Sequence, residues 1–594
     1  MITALAALFA AAATSPVSPG PGISEALANE RVGTIQAVRY DLSFHVAERK
    51  ADPIGGTETV RFSLRAPHRV ILDFEQPRDH VLKIQANGRP AEIALADGHL
   101  TIPATATKTG ENAIRIEFIA GDESLNRNDD FLYTLFVPAR AHLAFPCFDQ
   151  PNLKARYQLR LEIPPGWQAV SNGAGEEPKH LAGDLSPEAK AGGRMIEFAQ
   201  TRPLPTYLFA FAAGNFQIET GVRDGRTFRM FHRETDAAKV ARNREAIFDL
   251  HARALKWLED YTGIPYPWGK FDFVLIPSFQ FGGMEHAGAI FYNAASLLLD
   301  ESATQNQLLG RASVISHETS HMWFGDLVTM RWFNDVWMKE VMANFMAAKI
   351  VNPSFPQVNH QLRFLMEYYP AAYDVDRTAG SNPIRQQLAN LNEAGSLYGN
   401  IIYDKAPIAM RQLELITGEE GFRDGLRAYL HQYSFGNATW LDLVRILDER
   451  GQGISIADWS RAWVEMRGRP EIRTVIRASG RGAISELKLT ETDSLKRGLV
   501  WPQRLQVALG YPDHVQKLDV AINGPETNIA SARGWPAPSY VIPNGSGFGY
   551  GLFLLDDATR QYLLRHIEAI PDGLTRGTAW IDIWENLLEG RVSP

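Results

Sequence analysis

The chain has 594 residues, 45% of them apolar and 22% charged, a composition that excludes a disordered, collagen-like or disulfide-stapled protein. Its 60 Lys and Arg stand against 68 Asp and Glu, for a net charge of -8. No basic run is present, so nucleic acid is excluded as a partner, because phosphate binding needs a cationic face.

The length allows about three to five domains. A single cysteine, Cys147, cannot form an intrachain disulfide and says nothing about the redox compartment. Residues 4–13 make an apolar run of signal-peptide length, too short to span a bilayer. Small residues follow over 11–15 and a Pro/Gly stretch over 16–22. The leader predicts export to a periplasm or the exterior, with 1–22 as signal peptide and flexible lead-in. A cytoplasmic chain is the alternative, because the leader lacks a positive start and the first basic residue is Arg31. No later stretch approaches 18 uninterrupted apolar residues, so the mature chain is expected to have no integral membrane segment.

From 31 to 218 the pattern has period two. Val60, Phe62 and Leu64 alternate with polar residues, as do Ile114, Ile116 and Phe118. Asn87-Gly88 and Asp97-Gly98 sit between such runs, which is hairpin chemistry. An N-terminal β domain is predicted. Over 219–469 the period becomes helical: Ala246, Ile247, Leu250, Ala254, Leu255 and Leu258 recur on one face until Pro265-Tyr266-Pro267. Alternation returns over 470–555 (Leu487, Leu489; Leu505, Val507, Leu509), predicting a second, smaller β domain. Residues 556–594 read as helical. The fold class is multidomain α+β.

The sharpest signal is His317-Glu318-Thr319-Ser320-His321, in a helix predicted over 311–324 and ended by Gly325. Positions i and i+4 of a helix share a face, so both imidazoles can reach one ion. Glu318 projects beside them, where a carboxylate can take a proton from water at the metal. Chance alone yields the pattern in roughly two chains per hundred of this composition, so further ligands must be sought. A hydrolytic zinc site takes three protein ligands and leaves a position for water. A second helix over 336–349 has an apolar face of Trp337, Val341, Phe345 and Ala348 bordered by Glu340, 18 intervening residues past His321. A carboxylate there is costly unless it meets a partner or a metal. One Zn²⁺ per chain, held by His317, His321 and Glu340, is predicted. Asp326 and Asp335 are candidates to orient the imidazoles from behind.

This arrangement resembles the gluzincin zinc aminopeptidases, peptidase family M1. The flanking text agrees: residues 321–329 read HMWFGDLVT, residues 332–337 WFNDVW, and residues 145–151 FPCFDQP, with Gln150 where the family has Glu. The resemblance implies an N-terminal β-saddle, a thermolysin-like, mostly α catalytic domain, a small β-sandwich and the start of a helical C-terminal domain. It implies hydrolysis of the first peptide bond of peptides with a free N-terminus. Gly282-Gly283-Met284-Glu285-His286 is similar to the family's peptide-binding GxMEN loop, with His286 for Asn; by resemblance Glu285 pairs with the α-amino group. Thr134-Leu135-Phe136-Val137-Pro138 stands at the family's TQFEP, so Leu135 and Val137 replace two polar groups. Lys339 stands where Asn is common before the ligand glutamate. Ile402-Tyr403-Asp404-Lys405-Ala406 resembles the YxKGA segment, whose tyrosine would stabilise the oxyanion; Tyr398 is a second phenol near it. The catalytic pair implied is Glu318 and Tyr403. Two other readings share these residues: an epoxide hydrolase or bifunctional enzyme of the leukotriene A4 hydrolase kind, which needs a long apolar channel, and a catalytically silent, zinc-stabilised binding protein.

Overall fold

The computed structural model describes residues 19–177, 193–450 and 454–593. The leader predicted over 4–13 lies outside them. Residues 20–22, the end of the expected flexible lead-in, are fastened to the body: His99 Nε2 bonds the carbonyls of Gly20 and Gly22 at 2.9 and 3.0 Å, and Asn390 Nδ2 bonds that of Pro21 at 3.0 Å. A Cβ on Gly22 would fall 2.3 Å from the Asn392 amide, and the residue takes φ +72°, so the strap is cut to fit a glycine.

The N-terminal region is β-rich. Its main sheet has eight strands in the order Gly175–Glu176, Arg194–Phe198, Arg156–Ile163, Ile35–His45, Gly55–Leu64, Gly110–Ile119, Val81–Ala86, Arg89–Pro90. Val60, Phe62, Leu64, Ile114, Ile116 and Phe118 all face inward, as alternation requires. Both residues of Asn87-Gly88 and of Asp97-Gly98 have positive φ, which a two-residue turn between twisted strands demands.

A five-stranded sheet then begins the helical region. Its order is Gln217–Arg223, Arg226–His232, Phe271–Ile276, Ala289–Asn293, Gly283–Met284, so the last strand is an edge. Against it lie helices α1 (Ala237–Thr262) and α2 (Gln305–His321), and α3 (Val336–Val351) packs on α2. Helix α2 starts earlier than predicted because Thr304 and Gln307 form a reciprocal capping box. The side chains of Thr319 and Ser320 bond back to the carbonyls of Ile315 and Ser316, which satisfies two buried hydroxyls inside the helix. Helix α3 is buried on nearly every side, Asn344, Ala348 and Lys349 excepted. Such a helix is held by packing and not by an amphipathic face.

Helix α4 (His360–Asp376) and a single π-helical turn, Ile401–Lys405, follow, α5 (Ala406–Thr417) continues from that turn, and further helices run to Trp463. Two further sheets lie over 470–554; inward residues of one (Ile472, Leu487, Leu489) and of the other (Leu505, Val507, Leu509) share a core. Helices α6 (Asp557–His566) and α7 (Gly573–Leu588) follow. No described helix is long and apolar enough to cross a membrane.

The π turn is fastened from below. Lys405 is fully buried and pairs with Asp376 at 2.7 Å, bonds the Gly468 carbonyl at 2.8 Å and lies 5.2 Å over the Trp501 ring. Asp376 also accepts from Tyr550 and Ser381. Removing one member of such a pair strands the other in a medium that cannot solvate it, at a cost of about 3–5 kcal/mol. Lys405→Met should therefore lower the thermal midpoint by several degrees, whereas Lys256→Met, on an exposed pair, should change it little. Equal midpoints in a thermal melt would contradict this placement of the load.

Candidate active site

Helices α2 and α3 pack side by side and point His317, His321 and Glu340 at one spot. The two Nε2 atoms are 3.1 Å apart, and Glu340 Oε2 lies 3.5 and 3.9 Å from them. Both rings are oriented from behind. His321 Nδ1 lies 3.0 Å from the Phe324 carbonyl, and His317 Nδ1 lies 2.9 Å from Asn344 Oδ1. Oxygens that only accept place the proton on each Nδ1, so both Nε2 atoms carry lone pairs. Two lone pairs at this separation beside a carboxylate repel unless a cation or a proton sits among them. The donor set, two nitrogens and one oxygen converging within 4.8 Å, fits Zn²⁺ with a position left over.

The two aspartates expected to orient the rings do not do so. The Asp326 carboxyl is buried and has no hydrogen-bond partner among the described residues; burial drives its pKa well upward. Asp335 instead grips Arg385, with Nε at 2.5 Å, and accepts from the Trp440 amide at 3.4 Å. The orienting residue on α3 is Asn344, one turn past Glu340. Asn344 is a lone amide in an otherwise apolar run, which is the signal the sequence offers for it.

Burial would depress the His317 imidazole, but its bond to Glu340 and the charges of Glu318, Glu340 and Glu285 outweigh burial and push it up to about 9. Burial takes His321 down to about 4. Against burial, Lys339 and His317 hold Glu340 well below the usual carboxylate range. Burial, with Glu285 and Glu340 nearby, raises Glu318 to about 8. Glu318 is packed beneath the edge strand: a Cβ on Gly283 would fall 2.5 Å from its carboxyl, so only glycine lets that strand lie over the carboxylate.

These groups line a cavity of about 750 Å³. Gly282, Gly283, Met284 and Glu285 form part of its wall, with Glu318, Val137, Tyr398 and Tyr403; Phe364, Arg363 and Glu367 of α4 extend it. Glu285 lies 2.5 Å from Lys339 Nζ, which is also 2.7 Å from Glu340 Oε1. The rings of Tyr398 and Tyr403 are 6.4 Å apart. His286 departs from the expected role. Its ring is buried behind the wall, 4.5 Å from Phe291, and neither nitrogen has a partner among the described residues. Desolvation lowers it to about 3, so it does not titrate near neutral pH. Leu135 is also buried away from the cavity; of the two substituted positions in that segment, only Val137 reaches the wall.

The description "Peptidase M1 N-terminal domain" matches residues 38–208, and "Peptidase family M1 domain" matches residues 247–463. The chain is 26% identical over 600 residues to aminopeptidase N of Streptomyces lividans, covering 96% of this chain and 67% of that protein. It is 30% identical over 416 residues to aminopeptidase M1-C of Oryza sativa subsp. japonica, covering 70% and 45%, and 28% identical over 406 residues to a leucyl aminopeptidase of Saccharolobus solfataricus, covering 67% and 49%. The chain thus spans two thirds of the first relative and less than half of the other two.

Metal uptake has to displace the His317 proton, because a metal ligand must be an unprotonated imidazole. Against burial, its acidic neighbours push the metal-free imidazole up to about 9, so zinc affinity should rise about tenfold per pH unit from pH 6 to 8 and level off above pH 9. Competition against a calibrated chromophoric chelator measures this, and an affinity independent of pH would contradict the assignment of His317.

Proposed function

We propose that this chain, which belongs to peptidase family M1, is a zinc-dependent aminopeptidase that removes the first residue of peptides. The observation that carries this reading is the convergence of His317, His321 and Glu340 beside the buried Glu318 in one cavity whose wall is a free sheet edge. Held by those three residues, Zn²⁺ would supply a charge that acidifies water to near neutral pH and polarises a carbonyl oxygen.

The chain's own residues do the rest. Glu318 accepts the proton of the attacking water and later delivers it to the leaving amine. Its raised pKa suits both duties, since a group that titrates near the working pH can take a proton and return it. Tyr403 donates its hydroxyl to the carbonyl oxygen as that atom gains negative charge. Burial raises its pKa, so the phenol keeps its proton and stays a donor. Glu285 is the carboxylate that would receive the terminal ammonium and so orient the first peptide bond toward Glu318 and the metal-ligand residues. The outer edge of Gly283–Met284 offers main-chain groups to an extended peptide.

We read the N-terminal sheets as a β-saddle, residues 219–469 as a thermolysin-like catalytic domain, the two sheets of 470–555 as a β-sandwich and 556–594 as the start of a helical domain; the shared core of the two later sheets supports the sandwich. No observation favours epoxide hydrolysis or a silent scaffold: every group that peptide hydrolysis needs faces the same space, and the relatives are named aminopeptidases.

Glu318→Gln should bind zinc as the parent does and lose about 100- to 10,000-fold in turnover of an aminoacyl arylamide. Turnover near the parent's would refute its role as base. Tyr403→Phe should lower kcat about 100- to 1000-fold with KM nearly unchanged. A loss confined to KM would make the phenol a binding group instead.

A further inference from the structure

The cavity holds a cation of its own. Lys339 Nζ sits 2.5 Å from Glu285 Oε1 and 2.7 Å from Glu340 Oε1, with the Tyr207 ring 5.8 Å away. Glu340 turns its other oxygen, Oε2, toward the imidazoles, so Lys339 does not take the atom that faces the metal position. It occupies the space between the metal-ligand carboxylate and the carboxylate read above as the amine anchor. An ammonium group placed there by a substrate would need the same two oxygens.

Among the described residues that line the cavity, no other carboxylate is left for a substrate amine. Of the acids on the cavity wall, Glu318 serves as base, Glu340 as ligand, and Glu367 pairs with Arg363 on α4. Val137, on the same wall, contributes only methyl groups. Glu285 is therefore both the sole anchor and already half of an ion pair. A buried carboxylate that has its counter-ion gains much less from a second cation than a bare one does, and the two ammonium groups repel each other at close range.

We propose that Lys339 is a specificity-determining residue: by occupying half of the amine subsite it makes the site hold a free terminal ammonium weakly, so that peptides with free and with blocked amino termini are discriminated by little. The proposal rests on the aminopeptidase reading of the cavity. The ammonium that Lys339 presents beside Glu285 is also a donor, and the carbonyl oxygen of an N-acyl group can accept from it, where a pair of bare carboxylates would turn that oxygen away.

The test compares leucyl and N-acetyl-leucyl arylamides on the zinc-loaded full chain, with zinc content measured for every variant. The parent should favour the free amine by no more than about tenfold in kcat/KM. Lys339→Asn should raise that preference at least tenfold, with KM for the free amine falling by more than KM for the blocked one. A parent preference above about 1000-fold, or an unchanged preference in Lys339→Asn, overturns the proposal. Lys339→Met, which keeps the stem and drops the charge, decides the matter if the Asn variant does not fold. If the zinc-loaded parent hydrolyses neither compound, the aminopeptidase reading fails, and calorimetric binding of leucinamide against N-acetyl-leucinamide still decides on Lys339. Comparable affinities in the parent that separate at least tenfold in the variant support the proposal, and affinities unaffected by the substitution sink it.

Discussion

Two imidazoles and three carboxylates, all buried except the partly exposed His317, form two overlapping clusters that share His321, and the rest of the site follows from the need to compensate them. His317 and His321 share a face of α2; Glu340 comes from α3; Glu318 and Glu285 flank them. Acids packed together out of water cannot all remain charged without cations among them. The structure supplies one cation from its own chain, Lys339, and leaves a donor set for a divalent one. The two are not interchangeable. Oε1 of Glu340 faces the lysine and Oε2 faces the rings, so a single carboxylate is divided between them. That division is possible only because α3 is buried almost all round and fixes the carboxylate's direction by packing.

Much of this was legible in sequence, for reasons that can be named. The i, i+4 histidines have only one geometric reading once a helix is assigned, and the apolar neighbours of Glu340 announce a buried acid that needs company. Alternation at Val60–Phe62–Leu64 and at Ile114–Ile116–Phe118 translated directly into inward faces, because a half-buried strand tolerates no other register. Three residues were misjudged, and each error has a physical cause. Asp326 and Asp335 have the right chemistry to orient an imidazole, but chemistry does not state direction: a carbonyl at Phe324 and an amide on Asn344 got there first. His286 was read as a polar residue facing a ligand, yet the ring packs on Phe291 behind the wall, an option open to a flat neutral imidazole and closed to a charged one. Lys339 was visible as an odd residue beside a ligand; which oxygens it takes is decided by side-chain directions across two helices and a strand, which no spacing rule encodes.

Tyr403 shows how far a single contact can reach. Its turn is π-helical, one residue wider than an α-turn, a local irregularity that stands only where surroundings hold it. The surroundings here lie on the far side from the cavity. Lys405 reaches down to Asp376 at the end of α4, to the Gly468 carbonyl just ahead of the first later strand, and under the Trp501 and Tyr550 rings of the later β region. Tyr550 stacks on Tyr373 of α4 at 4.7 Å and donates to Asp376. None of the described residues after 469 lines the cavity, yet they form the floor on which the phenol-bearing turn rests. A cation sealed between an aspartate and two aromatic faces has no low-energy alternative position, and this is what such an irregular turn requires. The later β region thus contributes to the site by rigidity alone, and the phenol's position depends on a salt bridge that no substrate ever meets.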